Sequence, residues 1–282
     1  MQDKLAKALA IALLVAAWTS GNAAAGMPYP PQIDTGGRAA FESYQKATDP
    51  RAFVIAPGGT WVWHADMPSE KMAVDAALQD CQGMTQQRCV PYAINERIVF
   101  DAQSWPLSWG PYLSATQAAR ATTGIQRGQK FPDLAITTPD GRPTTLSRLR
   151  GKVIVLHFWG SWCPPCQNEM PNLQKLFDLF RHSKDVRFVS LPAHESLADA
   201  RRWANAKRID LPIYFGGAST VEAGEFPLTG GGVMHERQLA KAFPTTFVLD
   251  KQGIVVFSHL GPVTDWNSYA AFIRDTAAKS GR

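Results

Sequence analysis

Cys163 and Cys166 stand three residues apart in Trp162-Cys163-Pro164-Pro165-Cys166, directly after the apolar run Val153–Phe158 and at the start of a stretch with helical spacing. A sulfur in the first turn of a helix meets unpaired backbone N–H groups and the positive end of the helix dipole, and both favour thiolate over thiol. Such cysteines titrate at about 3.5–7.5, against about 8.5 for a free one. Pro164 and Pro165 suit that turn, where a missing N–H is no loss. The chemistry on offer is thiol–disulfide exchange: Cys163 as the exposed attacking sulfur, Cys166 one turn deeper as the resolving one. The same spacing also occurs as half of a zinc site or as an inert staple. Zinc needs two further ligands at metal spacing, and the histidines at 64, 157, 182, 194, 235 and 259 show none. No metal is expected, and the only redox group is the Cys163–Cys166 pair itself.

The elements around this motif alternate in type. Strand Val153–Phe158 is apolar throughout except for His157, as a central strand covered on both faces should be. A helix over Cys163–Arg181 follows, then strand Val186–Leu191, helix Leu197–Lys207, strands Thr245–Asp250 and Ile254–His259, and helix Asp265–Ala278. Pro171 falls inside the first of these helices and should kink it. Residues 216–232 are glycine-rich and read as a flexible loop. Residues 127–282 thus form an α/β domain, a central sheet with helices on both faces.

At this point two stretches carry a resemblance: Phe158-Trp159-Gly160-Ser161-Trp162-Cys163-Pro164-Pro165-Cys166-Gln167-Asn168-Glu169-Met170-Pro171 and Phe243-Pro244-Thr245-Thr246-Phe247-Val248-Leu249-Asp250. Over more than half its length the chain resembles the TlpA/ResA-like thioredoxin-fold thiol–disulfide oxidoreductases, which are exported. The resemblance implies a mixed central sheet and a cis Phe243–Pro244 bond, with Pro244 against the disulfide. It also implies that the backbone at Phe243 pairs with a substrate segment, and that Trp162, Pro164 and Pro165 border the same groove. The protein partners implied are disulfide substrates and an upstream electron donor such as a membrane thiol-reductase. The direction of electron flow, toward reduction, rests on the resemblance and not on the motif.

Two positions are less settled. Glu169, one turn after Cys166, is either the family's acid beside the disulfide or a solvated helix glutamate. His157 occupies the place where thioredoxins carry a buried acid, six residues before the first cysteine. A histidine there either relays a proton to Cys166 or is a hydrogen-bonded core residue.

The first half reads differently. Residues 26–110 form a small α+β domain, with a helix over Arg38–Lys46, a hairpin over 51–64, a helix from Ser69 to about Gln82, and a second hairpin over 88–100. Cys81 and Cys89 lack the strand–motif–helix context and read as a structural disulfide, useful to so small a core. Trp61 and Trp63 share one strand face, as sheet cover or as a docking patch. Residues 111–126 read as a linker.

Residues 1–25 read as a signal peptide: Lys4 and Lys7, an apolar core Ala8–Trp18, and Ala23-Ala24-Ala25 before the cut. That places the chain in the periplasm, where cysteines pair. If uncut, the segment anchors the chain to the membrane instead, and only then is there membrane contact. The net charge of +5 includes no long basic run, so nucleic acid is set aside. A second function class stays open: a thiol-holding binding or metal-site assembly factor whose N-terminal module recognises the partner.

Overall fold

Two four-stranded sheets, each with its own apolar clusters, underlie the two halves of the chain. The computed structural model describes residues 27–281 apart from 34, 58, 86, 219–223 and 264. The segment read as a signal peptide lies outside the described residues. No helix among those described is long and apolar enough to cross a membrane.

The first region comprises α1 (Thr35–Lys46), β1 (Ala52–Ile55), β2 (Trp61–His64), α2 (Glu70–Met84), β3 (Val90–Ile94) and β4 (Arg97–Ile98), its strands ordered β2-β1-β3-β4. Period-two alternation splits β1 between two clusters. Phe53 and Ile55 face Phe41 and Tyr44 of α1, while Val54 faces Ala77 and Cys81 of α2. Trp61 stacks on Phe53 at 6.2 Å and Trp63 meets Tyr44 edge-on, so both tryptophans cover the α1 side of the sheet. Ser69 caps α2 by accepting from Met72 N. Beyond β4, a 3₁₀ turn (Trp105–Ser108) and α3 (Ala115–Arg120) lead to the second region. This connection is docked: Trp109 meets Phe272 edge-on at 5.6 Å, and Tyr112 donates to Asp275 at 2.7 Å.

The second region holds β5 (Ala135–Thr137), β6 (Pro143–Thr145), β7 (Val153–Trp159), α4 (Pro164–Phe180), β8 (Val186–Pro192), α5 (Leu197–Ala206), β9 (Glu225–Pro227), β10 (Val233–His235), α6 (Glu236–Leu239), β11 (Thr245–Leu249), β12 (Val255–Leu260) and α7 (Ala270–Lys279). Its main sheet runs β12-β11-β7-β8, with β7 and β8 parallel and β11 antiparallel to both neighbours. Every residue of β7 is buried. Val153, Val155 and Trp159 meet the cluster built by α4, α5 and α7, and Ile154, Leu156 and Phe158 meet the opposite one. That second face is covered by the hairpins β5–β6 and β9–β10 and the short α6.

Two expectations change. The stretch 216–232 is not loop throughout: β9 pairs with β10, because Phe226 is fully buried against Phe158 at 5.3 Å and drags its strand onto the sheet. The last helix opens with a 3₁₀ turn, Trp266–Tyr269, before α7.

Candidate active site

β7 ends at Trp159, and four residues later Cys163 is the N-cap of α4, with Pro164 in the first turn. Its Sγ accepts the N–H of Cys166 at 3.2 Å. One orphan donor of the helix end is therefore aimed at this sulfur, the arrangement that holds a thiolate once the bond is reduced. Cys163 and Cys166 are bonded to each other. The Phe243–Pro244 bond is cis, and the Phe243 carbonyl oxygen lies 3.6 Å from Cys163 Sγ. Pro164 and Pro165 are exposed at the rim, and Trp162 is 46% exposed. Cys163 departs from the expectation of an exposed sulfur: only 3% of it reaches solvent, against none of Cys166. It belongs to the cluster under β7, with Phe243 packed against that cluster, so a partner must come close to this strand end to touch the sulfur.

Glu169 is no solvated glutamate. It lies buried on the α4 face that carries Cys166, its Oε1 accepting from Val263 N at 2.9 Å and from Trp266 Nε1 at 2.7 Å. Its Oε2 points at His157 Nε2, 3.8 Å away, and neither atom has a hydrogen-bond partner among the described residues. The other ring nitrogen of His157, Nδ1, is hydrogen-bonded to Thr246 Oγ1 at 2.8 Å. Burial acts oppositely on the two groups because it penalises charge. It pushes the Glu169 carboxyl up to about 8 and the His157 imidazole down to about 3. At neutral pH the pair is therefore uncharged, with the proton on Glu169. Hydrogen bonds from Val263 and Trp266 only partly offset the burial.

The structure thus brings Cys163, Cys166, Pro244, Phe243 and Trp162 to one strand end, with Glu169 and His157 beneath, and keeps Cys81–Cys89 in the other region. A cleft of about 1350 Å³ runs between the regions, lined by Trp61, Trp63, Gln82 and His259 among others. Neither reactive cysteine lines it, so its size says nothing about the redox chemistry. Among the described residues no cluster of His, Cys, Asp or Glu has the makings of a metal site. Reading the chain missed Thr246 and Trp266, the partners of the buried pair, and Glu195, which accepts from Ser161 N at 2.6 Å. Glu195 follows the C-terminal end of a parallel strand, where α/β sheets gather their sites, and that rule is the one signal that points to it.

Residues 126–273 match the Redoxin family, and the chain belongs to it. The thioredoxin-like protein YneN of Bacillus subtilis is 29% identical over 147 residues, covering 52% of this chain and 78% of its own. The thiol-disulfide oxidoreductase ResA of Bacillus thuringiensis is 29% identical over 140 residues, 50% of this chain and 73% of its own. Among solved structures, a secreted thiol-disulfide isomerase from Corynebacterium glutamicum matches with 24% identity and a TM-score of 0.41, covering 52% of this chain and 85% of that one. The chain is a thioredoxin-fold thiol–disulfide oxidoreductase of the TlpA/ResA-like type.

Proposed function

We propose that this protein works in the periplasm after export by residues 1–25, and that it reduces disulfides of protein substrates through a Cys163/Cys166 dithiol. The reading rests on one observation above the others: a disulfide at a helix N-terminus, its outer sulfur capped by a backbone N–H and flanked by the carbonyl before a buried proline. The Cys163 thiolate attacks one sulfur of the substrate disulfide, and the other leaves as a thiolate. Cys166 loses its proton, attacks Cys163 Sγ and expels the second substrate sulfur, so two electrons pass from the dithiol to the substrate. Glu169, ionised in the dithiol state, accepts the Cys166 proton at Oε2 and carries it once the disulfide closes, where burial favours the protonated form. His157, held by Thr246, faces the same oxygen and sets its affinity for that proton. A thiol donor, such as a membrane thiol-reductase, returns the pair to the dithiol. No cofactor is required beyond the cysteines.

The test is a trap. Cys166→Ser removes the resolving thiol, so substrates should accumulate as mixed disulfides on Cys163, read by mass spectrometry of periplasmic extracts. Adducts on Cys89, or none at all, would overturn the assignment.

A further inference from the structure

The segment Ala193–Glu195 follows β8 at the sheet end that carries the disulfide, and it grips the residues before Cys163. Ala193 O accepts from Trp162 Nε1 at 2.8 Å, and Glu195 accepts from the backbone N–H of Ser161. Between them the His194 ring stacks on the Trp162 indole, centroids 5.3 Å apart and planes 20° apart. Phe243 meets both rings edge-on, His194 at 5.5 Å and Trp162 at 5.6 Å. Three rings thus touch pairwise beside Cys163, whose Sγ lies 3.6 Å from the Phe243 carbonyl.

His194 holds this place at a backbone φ of +59°, a left-handed conformation that a side chain with a Cβ disfavours and glycine would take freely. A non-glycine residue kept there points to a use for its side chain. The ring is held from behind by close contact between Nε2 and Oε2 of the buried Glu236, and the backbone by a bond from His194 N to Ala218 O at 3.0 Å. Glu236 in turn depends on Gly224, where a Cβ would come within 2.9 Å of its Cδ. Both anchors come from the segment between α5 and β11, Ala218 from its glycine-rich part and Glu236 from α6.

We propose that His194, held by Glu236, is a specificity-determining residue. With Trp162 and Phe243 it presents an aromatic platform for an aromatic side chain next to the reacting cysteine of an extended polypeptide. That contact and the stacking on Trp162 limit the ring's freedom beforehand, so little ordering is left to do when substrate arrives. Aromatic rings prefer partners at the centroid distances seen here, and the exposed Trp162 face offers the area. The inference rests on the proposed reduction of polypeptide disulfides.

The experiment uses two disulfide-linked peptides, identical except for Phe or Asp beside the cysteine, reduced by the full chain with excess dithiothreitol. The parent should favour the Phe peptide by about tenfold in kcat/KM, chiefly through KM, the range one aromatic pair supplies. His194→Ala should bring the ratio to within about twofold of unity. Glu236→Gln, which keeps the shape and replaces the carboxylate that touches Nε2, should lower it at least threefold, and it decides the matter if the first variant does not fold. A preference that survives in these variants, both peptides slowing together, overturns the assignment, as does a parent without preference. A parent that reduces neither peptide overturns the functional reading beneath it instead.

Discussion

The two disulfides of this chain are almost equally buried, with exposures of 0% and 7% at Cys81 and Cys89 and 3% and 0% at Cys163 and Cys166. Burial therefore does not tell them apart; helix polarity and neighbours do. Cys81 sits in the last turns of α2, among outgoing carbonyls and the negative end of the dipole, packed against Val54, Ala56 and Ala77. The helix dipole there disfavours a thiolate, which fits a bond that only closes a short loop. Cys163 sits at the opposite end of a helix, with an N–H on its sulfur and an acid one turn beyond its partner. The comparison shows how the end of a helix that a disulfide meets changes the electrostatics around its sulfurs.

Cys163→Ser breaks the reactive side of this comparison most completely: turnover of any disulfide should fall to background, while unfolding of the first region is unchanged in urea. Glu169→Gln should come next, slowing the resolving step about 100-fold at pH 7, within the range of one proton-transfer group, with attack by Cys163 unaffected in stopped flow. It also changes stability with a definite sign. A carboxyl raised to about 8 binds its proton more tightly in the folded chain than unfolded, so its contribution is present below about 4.5 and lost as pH rises through 8. Urea titrations from pH 5 to 8 should show that decline in the parent and not in the Gln variant.

His157→Asn should cost less, about tenfold in the resolving step or 1.4 kcal/mol of barrier, because an amide can still bond Thr246 while losing the nitrogen that faces Glu169. Kinetics across pH 5–8 should show an unchanged first step, a slower second one and a displaced inflection, which belongs to the coupled group and not to one residue. If both steps match the parent, His157 is only a packed core residue. On the inert side, replacing Cys81 and Cys89 by Ala should leave turnover of a small disulfide unaltered. It should destabilise the first region by about 2–3 kcal/mol, the value for so short a loop. Lost turnover with that region folded would make the pair an electron relay.

What the sequence alone determined was local. Period-two and period-3.6 patterns placed β7 and α4 to within a residue or two, because their apolar residues must face a core, and the prolines and cysteines between them mark a helix start. The resemblance added Pro244, 78 positions beyond Cys166. Only the tertiary structure decided what depends on residues far apart in the chain. Glu169 is equally compatible with solvent or core until Val263 and Trp266 close over it. His157 acquires its meaning from Glu169 on α4 and Thr246 on β11, neither of which its own strand can reveal. His194 reads as an ordinary loop residue until Trp162 and Glu236 meet it from two other segments. Local patterns follow from each element's need to bury one face; charge and reactivity follow from which side chains share a buried space, and chain folding alone brings those together.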